Sequence, residues 1–161
     1  MLNTEPVKTQ LSDLNRFLSE HSCQPVDFSR NKAGHLIINA KVNGVEGSFI
    51  LDTGAGCSVI DNSNSETLKL TMDLDSVKSS GTGAGGNKLP VVPSKGNSLT
   101  INNIEIEDFT FSVMSLEHVT SAYKQMGITE SFFGVLGADL LVHHKAVIDY
   151  AGMKLWLKNS N

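Results

Sequence analysis

Asp52-Thr53-Gly54 closes the apolar run Phe49-Ile50-Leu51, and no other segment of the chain holds a carboxylate in so marked a setting. A charge at the end of a strand that is itself buried costs several kcal/mol unless hydrogen bonds satisfy it. Gly54, with no Cβ, lets its backbone N–H approach the carboxylate closely, and Thr53 adds a hydroxyl. The chemistry open to such a group is hydrolysis by a pair of carboxylates sharing one proton. A plainer account also fits: Asp52 starts a turn and is held by an Asx hydrogen bond. Asp139 and Asp149 are the other carboxylates in apolar surroundings, but neither is followed by Thr-Gly or Ser-Gly.

Other constellations are less specific. Ser79–Asn87 is the most glycine-dense stretch, and Gly81-x-Gly83-x-x-Gly86 formally fits a dinucleotide fingerprint. No apolar strand runs straight into it, and Pro90 and Pro93 stand where the helix should begin, so nucleotide binding is not expected. A mobile hairpin tip accounts for these glycines better, with a loop of no function as the plain alternative. Cys57 has no base nearby in sequence and reads as a small, half-buried residue rather than a nucleophile. His143-His144 are adjacent, so their side chains diverge. With no HExxH or CxxC beside them, no metal or other cofactor is expected. Asp139, after Gly137 at the start of a helix, reads as structural. Trp156 reads as core or interface.

The elements that must position Asp52 are mostly strands. Leu36–Val42 alternates, Asn43-Gly44 suits a type I′ turn, and Val45–Leu51 returns into the Asp52 loop. Ser58-Val59-Ile60 leaves it, and Asn62–Leu70 holds one or two helical turns. Strand-like runs at Leu74–Lys78 and Leu89–Val92 flank the glycines. A further hairpin joins Ser98–Ile101 to Ile104–Val113 through Asn102-Asn103. Ser115 caps a helix with Leu116, Val119, Tyr123 and Met126 on one face. The chain closes with Gly134–Leu141, a buried strand Ala146–Tyr150, a turn at Ala151-Gly152 and a strand Lys154–Leu157. Ahead of all this, Leu11, Leu14, Phe17, Leu18 and His21 follow helical spacing, with Thr9 or Ser12 as cap.

With 161 residues the chain has room for one domain. Hydrophobic residues at 40% and charged residues at 19% fit a globular protein, and a net charge of -4 argues against bulk nucleic-acid binding. No apolar run approaches a membrane span, and Met1–Gln10 has no basic-then-apolar arrangement, so neither membrane insertion nor a signal peptide is expected. Two cysteines do not make a secreted disulfide scaffold. A cytoplasmic enzyme is the expectation.

The run Phe49–Ile60 resembles the catalytic loop of retropepsin-like aspartic proteases, and Gly134–Leu141 resembles their second signature: two apolar residues, a glycine, then a short helix. The spacing between them, filled by a glycine-rich flap, and the close at Ala146–Tyr150 are also similar. The likeness runs from about Gly34 to Lys158 and is nearest to the compact bacterial members, whose extra helix matches Ser115–Met126. It implies an all-β fold, a closed acid-protease barrel with a few short helices. Residues 34–161 would be the protease domain, and 1–33 an N-terminal helical appendage. It also implies an aspartic endopeptidase in which Asp52 is catalytic, Thr53 and Gly54 shape the loop, and Thr53 bonds across a twofold axis. Substrate would lie between the loop (Ala55, Gly56) and the flap (Gly81, Thr82, Gly83, Ala84, Gly85, Gly86). Only one Asp-Thr-Gly is present, so the second carboxylate must come from a second copy, in a C2 homodimer. The partners implied are that copy and a peptide or protein substrate. The same fold could instead serve as a non-catalytic dimerisation or peptide-binding module. Ala138 stands where many retroviral relatives carry Arg, and the flap tip has no aromatic residue.

Overall fold

The structure, a computed structural model, describes residues 5–82 and 88–159. In chain order, α1 (Glu5–Glu20) is followed by β1 (Cys23–Asp27), β2 (Ser29–Arg30), β3 (Leu36–Val42), β4 (Val45–Leu51) and β5 (Val59–Asp61). Then come β6 (Lys78–Thr82), β7 (Lys88–Ile101), β8 (Ile104–Met114), α2 (Glu117–Gln125) and β9 (Gly134–Leu136). The chain ends in α3 (Ala138–His143), β10 (Val147–Asp149) and β11 (Lys154–Lys158). This is the mainly β architecture with a few short helices that the sequence implies.

Eight strands form one sheet in the order β2-β3-β4-β9-β5-β8-β7-β6, and β3 also pairs with β7 through Lys41–Thr100 and Val42–Leu99. That second pairing joins β3, β4, β9, β5, β8 and β7 into a ring. Inside it lie Ile38, Phe49, Ile60, Phe111, Leu136 and Leu140, all but inaccessible. Each such side chain contributes about 2 kcal/mol by leaving water. Strand alternation sends the neighbours outward: Ile50 and Val59 meet Leu116, Tyr123, Ile128 and Phe132 in a second cluster beneath α2. β4 is therefore covered on both faces.

The β3–β4 turn matches expectation, with Asn43 and Gly44 at φ 50° and 82°. Other elements differ. α1 starts ahead of Thr9 and Ser12, because Pro6 is acceptable in a first helical turn. Phe17 is 54% exposed and stacks on His21 instead of entering a core. Leu74–Ser76 is a 3-10 turn rather than strand, and Ser76 Oγ donates to Asp73 there. α2 runs from Glu117 with Met126 outside it and exposed, while Ser115 Oγ accepts the Glu117 amide at 3.3 Å. β10 is only partly buried, with Val147 exposed, Ile148 half-buried and Asp149 buried. The segment 23–30, without alternation strong enough to announce strands, forms β1 and β2. β1 pairs with β11 from Cys23–Lys158 to Asp27–Lys154, and β2 pairs with β3.

Candidate active site

Two strands deliver the Asp52 loop and a third locks it. β9 lies between them, parallel to β4 (Phe49–Gly134, Leu51–Leu136) and antiparallel to β5 (Val59–Val135, Ile60–Gly134). The Asp52 amide extends this ladder by donating to Leu136 O at 3.0 Å. The chain then turns: Ala55 N–H donates to Asp52 O at 3.2 Å, and Gly54 N–H donates to Asp52 Oδ1 at 2.8 Å. That last bond is at once the close glycine approach and the Asx turn. The two local accounts of Asp52 describe one geometry. Its other carboxylate oxygen has no partner among the described residues, and Asp52, Thr53 and Gly54 are all exposed in the single chain.

The far side of the loop is tied to α3. Ser58, wholly buried, donates its amide to Asp139 Oδ2 at 2.8 Å and its hydroxyl to Asp139 Oδ1 at 2.7 Å. Ser58 Oγ also accepts the Gly137 amide at 3.0 Å, and Ala138 N–H donates to Ala55 O at 2.7 Å. Asp139 thus serves structure, as its position in the first turn of α3 suggests. Ser58 was not legible as its partner. A serine directly before the apolar pair Val59-Ile60 was the available signal, since a buried hydroxyl needs a bond. Gly137 permits the approach: a Cβ there would lie 2.7 Å from both Ala55 O and Cys57 O.

Two hollows flank Thr53. One, about 380 Å³, is walled by His35, Leu36, Ile50, Asp52, Val135 and Tyr150. The other, about 320 Å³, is lined by Ala138, Leu141, Val142, Ala146 and Ile148. Behind the first, the buried Tyr123 Oη lies 2.6 Å from His35 Nδ1 and accepts Asn31 Nδ2–H at 2.8 Å. Burial holds the Tyr123 phenol above its usual range, reinforced by Glu130 and opposed by the Asn31 hydrogen bond. Sequence patterning gave Tyr123 only as a helix-face residue, and gave His35 and Asn31 nothing.

Of the expected site residues, the structure brings Asp52, Thr53, Gly54, Ala55 and Gly56 into one loop. The backbone of Gly81 and Thr82 lies in β6, opposite Leu89 and Lys88. Gly83, Ala84, Gly85 and Gly86 lie outside the described residues. Cys57 is exposed rather than half-buried, with Sγ 3.5 Å from Ser112 Oγ. His144 is buried with Nδ1 3.0 Å from Lys158 O, and its ring meets His143 edge-on. Trp156 is buried within the chain. Among the described residues no three His, Cys, Asp or Glu side chains gather as metal ligands, and no helix is long and apolar enough to cross a membrane.

Several solved structures share this architecture. A retropepsin-like aspartic protease from Rickettsia conorii matches with a TM-score of 0.55 at 24% identity, over 85% of this chain and 91% of that one. The retroviral protease-like domain of Ddi1 from Leishmania major matches at 0.53 and 18% identity, over 79% and 90%. The protease of EIAV, solved with the inhibitor HBY-793, matches at 0.50 and 18% identity, over 75% and 98%. No curated protein matches the chain. Residues 38–140 match the family model described as aspartyl protease. The chain belongs to the aspartyl protease family.

Proposed function

We propose that this member of the aspartyl protease family hydrolyses peptide bonds as a C2 homodimer, with one Asp52 from each subunit forming the catalytic dyad. The observation that carries this is Asp52 itself. The loop fixes one carboxylate oxygen through Gly54 N–H and leaves the other open at an exposed surface beside Thr53. Two such carboxylates on an axis share one proton. The ionised member draws a proton from the attacking water, whose oxygen bonds to the scissile carbonyl carbon. The protonated member polarises that carbonyl and holds the developing oxyanion. Proton return to the amine nitrogen then accompanies C–N cleavage. Thr53 braces the two loops across the axis. Ala55, Gly56 and the flap residues 81–86 hold substrate backbone. Residues 34–161 are the protease domain, with 1–33 an appendage whose strands extend its sheets.

A second reading rests on the same Gly54–Asp52 bond, because an Asx turn holds the loop whether or not chemistry follows. The protein would then be a dimerisation or peptide-binding module. Sedimentation equilibrium and a peptide-cleavage screen, run on the native chain and on Asp52→Asn, separate the two. The dyad predicts a mass rising to twice 17.3 kDa and cleavage that the variant lacks while keeping its fold. Stoichiometric peptide binding without turnover would favour the module. Undiminished cleavage by Asp52→Asn would remove Asp52 from the mechanism.

A further inference from the structure

Asn31, His35 and Tyr123 form a polar chain whose hydrogen positions follow from its geometry. The Asn31 amide is oriented without ambiguity, because its Oδ1 accepts two backbone amides, Ala33 N and His35 N, both at 3.0 Å. Its Nδ2 therefore faces Tyr123 Oη as a donor at 2.8 Å. The phenol proton then has one place to go among the described residues, His35 Nδ1 at 2.6 Å. Tyr123 is 3% exposed, so water is a poor substitute as acceptor. With the opposite tautomer, two protons would face the phenol oxygen while its own proton lay buried without a partner, costing about 1–3 kcal/mol. Burial also holds the phenol protonated, hence able to donate. The His35 ring stacks on Tyr123, centroids 5.5 Å apart at 30°, which fixes its plane as well as its tautomer.

Nε2 is the ring nitrogen left over. His35 is exposed and walls the hollow that contains Asp52 and Thr53; besides Tyr150, its other lining side chains are apolar: Leu36, Ile50, Leu51, Val119 and Val135. We propose that His35, held as the Nε2–H tautomer by Tyr123 and Asn31, is a specificity-determining hydrogen-bond donor. It would select substrate side chains that cross an apolar wall and end in an oxygen acceptor, as Glu and Gln do. His35 touches the substrate, and Tyr123 is a positioning residue acting through it. This proposal rests on the peptide-cleft reading of the Asp52 loop.

Two measurements test it separately from turnover. The first is the ring 15N spectrum of histidine-labelled protein at about pH 8.5, above the ordinary imidazole range, with His35 identified by its loss in His35→Leu. The expected signal is a single Nε2–H form in the native chain and a tautomer mixture in Tyr123→Phe. An Nδ1–H signal, or an unchanged spectrum in Tyr123→Phe, would overturn the positioning role. The second is binding of octapeptides to Asp52→Asn, with Glu, Gln, Met or Lys placed in turn at each position. Glu and Gln should each bind roughly tenfold tighter than Met at one position, the worth of one such bond. That preference should vanish when His35→Leu is added. Preference for Glu without Gln, or preference that survives His35→Leu, would sink the proposal and leave the cleft intact. No binding by any peptide would overturn the cleft reading together with it.

Discussion

Ser58 and Asp139, 81 residues apart, are joined by two hydrogen bonds of 2.8 and 2.7 Å that fasten the Asp52 loop to the first turn of α3. Both Asp139 oxygens are occupied by one residue, and Oδ1 also accepts the Leu140 amide. Strand β5 begins at the next residue. Loop, helix and strand therefore share one fixed point.

Breaking that point has a calculable cost. Asp139→Ala leaves the buried Ser58 hydroxyl and amide without acceptors, and should destabilise the fold by about 2–4 kcal/mol. Ser58→Ala keeps the amide bond but leaves the Gly137 amide without its acceptor, and should cost about 1–3 kcal/mol. The double variant should lose less than the sum. Urea unfolding of the four proteins measures each term, and strict additivity would show that the pair acts independently.

Glycines around the loop divide into two kinds. A Cβ on Gly134 would run into Val59 O, and one on Gly137 would press on two carbonyls. All are backbone atoms, Val59 O in strand β5 and Ala55 O tied to the Ala138 amide, so Gly134→Ala and Gly137→Ala should each cost about 3 kcal/mol, Gly134 more. Gly56 faces open space, and Gly56→Ala should stay within about 0.5 kcal/mol of the native chain. Thermal unfolding ranks the three. Equal values would mean that β9 can shift to make room.

Thr53 offers a test of the dimer without touching the dyad. If its hydroxyl bonds across the axis, Thr53→Ala should raise the dimer dissociation constant roughly tenfold through loss of paired bonds. Cleavage should recover as protein concentration rises. A dimer unaltered in sedimentation equilibrium would assign Thr53 to loop structure alone.

Alkaline pH should expose Tyr123. Burial raises its phenol above the ordinary value of 10.0, so the folded state keeps a proton that the unfolded chain releases first. The stability this gives is full below about pH 10 and is lost as pH rises through the higher folded value. The difference in unfolding free energy between native protein and Tyr123→Phe should therefore shrink above about pH 10. A difference that stays constant to pH 12 would mean the phenolate is accommodated.

Strand β3 was legible because its alternation is strict. Leu36, Ile38, Ala40 and Val42 face the core, and Asn43-Gly44 can hardly do anything but turn. The Gly134–Leu141 signature was legible for a different reason: a glycine between two apolar residues and a helix marks close backbone approach. Cys23–Asp27 was not legible. It carries Pro25 in a strand, and its partners in β11 lie 127 to 135 residues away, so no local pattern announces it. His35 was invisible for a similar cause. Its role comes from a tyrosine 88 residues later, and a single exposed histidine in a loop has no spacing to betray it. Long-range pairing of polar side chains leaves little trace in periodicity.

The last strand has a neighbour on each side, β1 on one and β10 on the other. Shortening the protein from its beginning therefore meets a threshold rather than a gradual decline. Trimming back to residue 20 would remove α1 and leave every strand pairing in place. Trimming a few residues further would strip five paired residues from β11 and bare its backbone amides and carbonyls as a template for another chain.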